Sequence, residues 1–174
     1  MNPQSPVRVL DTAEYVTVLR ELVESGMEAS CVIAGGSMAP FLCDGRDVIV
    51  FSAPDENAKP LSRGDMVFYR RDDGRYIMHR IVRKEKDGTY TITGDAQNVL
   101  ERGVRREQIF ARVTKARRKG KWITQGNFWW EVFEHLWISP CVIPLRRPVL
   151  AVYGRVKKLL SAGTGNGKGG DVGS

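Results

Sequence analysis

Residues 65–93 read DMVFYRRDDGRYIMHRIVRKEKDGTYTIT. Asp65 to Arg70 and Tyr76 to Lys84 are strand-like runs of β-branched and aromatic residues, and Asp72-Asp73-Gly74 between them is a turn signal. Asp87-Gly88 marks another turn before Thr89 to Thr93. Working outward, Glu28 to Ala34 and Asp47 to Phe51 are earlier strand-like runs. Gln108 to Ala116 and Trp122 to Gln125 have the form of a hairpin around Lys119-Gly120. Pro54-Asp55 and Arg63-Gly64-Asp65 supply further turns. Many short strands at close spacing predict a mainly β (α+β) fold, a folded-over antiparallel β body.

One helix precedes the strands. Asp11 and Glu14 have capping-box spacing, and Tyr15, Val18, Leu19 and Leu22 recur at three and four until Ser25-Gly26 stops the run. A C-terminal helical segment follows Gly126. On a wheel of about 100° per residue, Phe128, Trp129, Val132, Phe133, Leu136 and Trp137 share one side of Phe128 to Ser139. Glu131, Glu134 and His135 take the other side, with Trp130 at the boundary, and His135 reads as a surface residue. Pro140, Pro144 and Pro148 prevent one long helix. The expected organisation is a flexible lead at 1–10, a β domain at 11–126, a Trp-rich and basic helical extension at 127–160, and a disordered Gly-rich tail at 161–174.

With 174 residues, 42% of them hydrophobic and 27% charged, the chain can bury a core and is not disordered throughout. Three cysteines, none as C-x-x-C, do not make a disulfide framework, so a reducing, cytoplasmic setting is expected. Cys31, Cys43 and Cys141 read as small buried hydrophobes. No stretch has the apolar length of a secretory signal or a membrane span. No metal-ligand spacing and no phosphate-binding glycine loop stands out, so neither metal nor cofactor is expected. The net charge of +7 suits an anionic partner. Arg105 to Lys121 holds eight Lys/Arg against one Glu, but it lacks interleaved aromatics apart from Phe110, which argues for a solvated hairpin over nucleic-acid binding.

The chemistry points to Gly35-Gly36-Ser37-Met38-Ala39-Pro40, where two glycines let the backbone turn and present a hydroxyl. Downstream come Arg63-Gly64-Asp65-Met66-Val67, then Ile77-Met78-His79-Arg80-Ile81-Val82, then Thr93-Gly94-Asp95-Ala96-Gln97-Asn98. In this order the four segments resemble the signal peptidase I superfamily, which includes the self-cleaving SOS-repressor domains. The resemblance covers roughly Ser30 to Val113. Where bacterial-type members and repressors carry a lysine base, this chain has His79, as in the endoplasmic-reticulum and archaeal branch. The resemblance therefore implies a Ser37–His79–Asp95 site, with Gly35, Gly36 and Met38 supporting the oxyanion or the loop. Glu101 stands as a secondary acid, where that branch often has a second Asp. It further implies a serine endopeptidase cutting an extended peptide or leader after a small residue. Gly35 replaces the serine that the family often places two residues before the nucleophile, so the oxyanion would rest on backbone N–H groups.

The residue types fit that chemistry. A serine hydroxyl needs an adjacent base, imidazole can be one, and a carboxylate steadies the imidazolium. A self-cleaving regulator is disfavoured, because only 36 residues precede Ser37. The alternative is a non-catalytic peptide-binding or regulatory module with the same fold. Trp129, Trp130 and Trp137, with the Arg and Lys that follow, suggest peripheral contact with an anionic membrane at the cytoplasmic face.

Overall fold

A computed structural model describes residues 12–146, 148–152, 154 and 155. The expected Asp11 cap, the 1–10 lead, the 161–174 tail and the basic residues Lys157 and Lys158 lie outside the described residues. Helix α1 (Thr12–Glu24) is followed by eight strands: β1 (Ala29–Val32), β2 (Val48–Ser52), β3 (Met66–Arg70), β4 (Tyr76–Lys84), β5 (Tyr90–Thr93), β6 (Glu101–Val104), β7 (Ile109–Arg118) and β8 (Lys121–Thr124). They form one sheet in the order β1-β2-β7-β3-β4-β5-β6, with β8 paired to β7. Every pairing is antiparallel.

The sheet is covered on both faces because its central strands alternate between two apolar clusters. On β3, Met66 and Phe68 face one cluster while Val67 and Tyr69 face the other, as the two-residue period of a strand requires. The first cluster holds Leu19 and Val23 of α1, with Val16 and Leu22 against it, together with Met38, Phe41, Phe51, Trp130 and Phe133. The helix therefore buries the stripe 16/19/22/23, and Tyr15 and Val18 remain largely in solvent. The second cluster holds Tyr69, Ile81, Tyr90, Ile92, Val104 and Ile109. A strand buried on both sides reads as a continuous apolar run, which is why β4 and β3 stand out in the sequence.

The C-terminal segment turns inward a face rotated from the one its composition favours: Val132, Phe133 and Trp137 of that face pack on the first cluster. Asn127 caps α2 (Phe128–Glu131) by accepting from the Trp129 amide, and a π-helical turn continues over Val132–Trp137. The buried stripe is Trp130, Phe133, Glu134 and Ile138; Phe128, Trp129 and Leu136 are exposed. Trp130 and Phe133 pack on Phe41, with ring centroids 5.9 and 4.9 Å away. Of the three tryptophans expected at a membrane, only Trp129 is exposed; Trp130 is buried and Trp137 half-buried. Among the described residues no helix is long and apolar enough to cross a membrane. Cys31 and Cys43 are half-buried and Cys141 is exposed, so the thiols are less enclosed than expected.

Candidate active site

Strand register gathers the site. Arg80 of β4 pairs with Thr93 of β5, so one step further along the ladder Gly94 comes opposite His79. The turn after β5 then meets the serine loop: the Ala96 amide donates to the Ser37 carbonyl at 2.8 Å. A Cβ built on Gly94 would lie 2.6 Å from the Ser37 carbonyl oxygen and 3.1 Å from His79 Nε2. Glycine is therefore needed at position 94 for close approach, and the same atom vacancy shows how near the serine backbone and the imidazole stand. Ser37 and His79 line one cleft of about 230 Å³ with Ile33, Ala34, Arg71 and Gln97.

Gly94→Ala should push the serine loop off the histidine, because the clash is with backbone and no side-chain rotation relieves it. A displacement near 1 Å costs about 10²-fold in a positioned reaction. If Ser37 reacts with a phosphonate probe, the expected result is a comparable loss in that rate; an unchanged rate would show that the loop yields freely.

The serine loop is built as its residues suggest. Gly35 has φ +84°, a left-handed conformation that strains any residue with a Cβ, and its amide donates to Asp44 Oδ1 at 2.9 Å. A serine, or any other residue with a Cβ, would be strained at this position. Met38 is buried in the first core cluster and anchors the loop from beneath. The Ser37 and Met38 amides donate to no other described residue, leaving two main-chain donors at the serine.

The acids are distributed differently from the expected triad. Asp95 is fully buried and gives both carboxylate oxygens to Arg80, Oδ1 to Nε at 3.0 Å and Oδ2 to Nη2 at 2.9 Å. Arg80 also donates to the Gly64 carbonyl at 2.9 Å. Strand alternation explains the choice: His79 and Arg80 are neighbours on β4 and point to opposite faces, and the carboxylate lies with the arginine. His79 Nδ1 is buried without a hydrogen-bond partner. Glu101, at the start of β6, accepts from Tyr69 Oη at 2.7 Å and from Arg71 Nε at 2.8 Å, with a further bond from Arg71 Nη2. Burial alone would raise the Glu101 carboxyl, but the Arg71 and Tyr69 hydrogen bonds hold it below the usual carboxylate range. The Tyr69 and His79 rings lie 6.3 Å apart between centroids.

The imidazole is held neutral. Burial, reinforced by the Arg71 charge, pushes His79 down to about 4, against the weaker opposing pull of Glu101 and Asp95. Sequence reading did not single out Arg71, which lines the cleft and pairs with Glu101; in the charged run Arg70 to Asp73 nothing local marks it.

The C-terminal extension braces this site from behind. Trp137 Nε1 donates to the Asp95 carbonyl at 2.8 Å. Arg146, fully buried, donates through Nη1 to the carbonyls of Gly94 and Gln97, each at 3.0 Å, and through Nη2 to the Trp137 carbonyl at 2.7 Å. The turn that meets Ser37 is thus clamped at the carbonyls of Gly94, Asp95 and Gln97. No protein-family model, curated protein or solved structure matches the chain.

Proposed function

We propose that the chain is a serine endopeptidase of the signal-peptidase type, working in the cytoplasm, with Ser37 as nucleophile and His79 as general base. The observation that carries this reading is the shared cleft in which His79 Nε2 and the Ser37 backbone both abut Gly94. Ser37 Oγ would attack the scissile carbonyl while His79 Nε2 takes its proton, then returns it to the departing amine. The oxyanion would face the unengaged Ser37 and Met38 amides. Water would release the acyl group by the same route. An adjoining apolar pocket of about 180 Å³ shares Ile33, Ala34, Tyr76 and Met78 with the cleft. It suits an extended peptide that seats a small apolar side chain just before the cut.

A second reading, a peptide-binding module without turnover, is favoured by one feature: no carboxylate bonds His79 Nδ1, and Arg71 weakens the base. A serine-reactive phosphonate separates the two. The peptidase reading expects covalent labelling of the parent chain, with the adduct on Ser37 and none on Ser37→Ala. An unlabelled parent that still binds peptide would establish the module instead.

A further inference from the structure

Glu134 is a buried carboxylate with no counter-charge. Its side chain is only 4% exposed, and it forms no ion pair with any described residue. Its one hydrogen bond comes from a neutral group, Gln125 Nε2 to Oε1 at 2.7 Å, while Oε2 is buried without a partner. Buried charges are ordinarily paired or bound to metal, since desolvation is costly otherwise. Gly64, with φ +96°, makes room for it: a Cβ there would fall 2.3 Å from Glu134 Cγ and 2.8 Å from the Glu134 carbonyl oxygen, so the fold accommodates this carboxylate at some cost in backbone choice.

Two further donors converge on it. Glu131, Glu134 and His135 stand at i, i+3 and i+4, on one side of the helix running into the π-helical turn. One ligand atom from each lies within 4.8 Å of the other two. His135 Nε2 and Glu131 Oε2 are already 3.0 Å apart. Ligands on a tetrahedral zinc ion stand roughly 3.3–3.6 Å from one another, so His135 and Glu131 would part slightly to admit the ion, and the Glu134 carboxylate would adjust to complete the set. The π-turn is a geometry that recurs at functional sites. Around the cluster, the Gly126 amide occupies Glu131 Oε1, Arg63 donates to the His135 carbonyl rather than to its ring, and Lys59 Nζ donates to Gln125 Oε1 rather than to Glu134.

We propose that Glu131, Glu134 and His135 bind a divalent transition-metal ion of the zinc class. Two carboxylates and one imidazole match zinc, and the imidazole argues against magnesium or calcium, which prefer all-oxygen sites. The ion supplies the charge that Glu134 lacks, and a fourth position stays open to water. The site lies on the outer side of the turn whose Trp137 braces Asp95, and it does not depend on the peptidase reading.

Calorimetric titration of the chelator-stripped full chain with zinc sulfate tests it. One equivalent should bind, and zinc should raise the melting temperature. Glu134→Gln and His135→Ala should each weaken binding at least about tenfold, judged against the 10–100-fold losses typical of groups that only support a ligand. His135 is exposed, so its variant will fold even if the Glu134 variant does not. No saturable binding by the parent chain, or affinity unchanged in His135→Ala, overturns the proposal. Binding lost only on Cys31→Ser, Cys43→Ser or Cys141→Ser would assign the metal to a thiol and overturn it too.

Discussion

Asp95→Asn should destabilise the fold by about 3–5 kcal/mol, the cost of leaving one member of a buried ion pair without its partner. Both carboxylate oxygens of Asp95 hold Arg80, and neither side chain has measurable exposure. The amide keeps the shape but loses the charge, and its NH₂ group would face a guanidinium that can only donate. Urea unfolding of the parent and the variant measures the loss directly. Replacing both residues, as Asp95→Asn/Arg80→Met, should cost less than the sum of the two single changes, because the stranded charge goes with its partner. This outcome separates two roles for the same residue. A carboxylate serving His79 alone would lose turnover on amidation and keep its stability; a change below about 1 kcal/mol, ordinary for an unremarkable substitution, would point to that role.

On the peptidase reading, His79→Ala should lower turnover by about 10²–10⁴, the usual contribution of a positioned general base. The pH dependence gives this prediction its edge. With the imidazole held down at about 4, the rate on a neutral substrate should stay level through pH 6 and fall only as the pH approaches that value. An unperturbed histidine would lose activity near 6.5. Stability follows the same group. The unfolded chain takes up the His79 proton at about 6.5, and the folded chain resists until about 4. The folded state therefore keeps its full advantage above 6.5 and loses it progressively as pH falls from 6.5 to 4. In His79→Ala that particular slope should be absent. A rate that drops near 6.5 in the parent would show that Arg71 and burial do not govern the base.

Strands whose apolar residues run unbroken were legible in the sequence. β4 spans Tyr76–Lys84 as read, and the β7–β8 hairpin turns at Lys119-Gly120, where Lys119 itself has φ +49°. β6 was missed because Glu101-Arg102-Gly103-Val104 has no β-branched or aromatic run. It is a strand through its pairing with β5 and through the Glu101 contacts to Tyr69 and Arg71, none of which local propensity encodes. Ser37 and His79, singled out in the sequence by residue type, line one cleft. The placement of Asp95 was not legible. His79 and Arg80 are adjacent, each could hold a carboxylate, and only the face to which Asp95 folds decides between them. In the C-terminal segment the wheel chose six residues, of which Val132, Phe133 and Trp137 pack on the core while Phe128, Trp129 and Leu136 stay exposed. The fold instead buries the stripe containing Glu134, which Gln125 and the space above Gly64 make tolerable.

The clamp from Trp137 and Arg146 has a consequence for the order in which the molecule is made. Ser37, His79 and Asp95 all leave the ribosome well before position 146, at the elongation rate of about 5–20 residues per second. The carbonyls of Gly94, Asp95 and Gln97 have no indole or guanidinium to meet until that last stretch emerges. The nascent chain can thus pair its strands while the turn beside Ser37 is still untethered. The Ser37–His79 cleft therefore acquires these tethers only after positions 137 and 146 have been made.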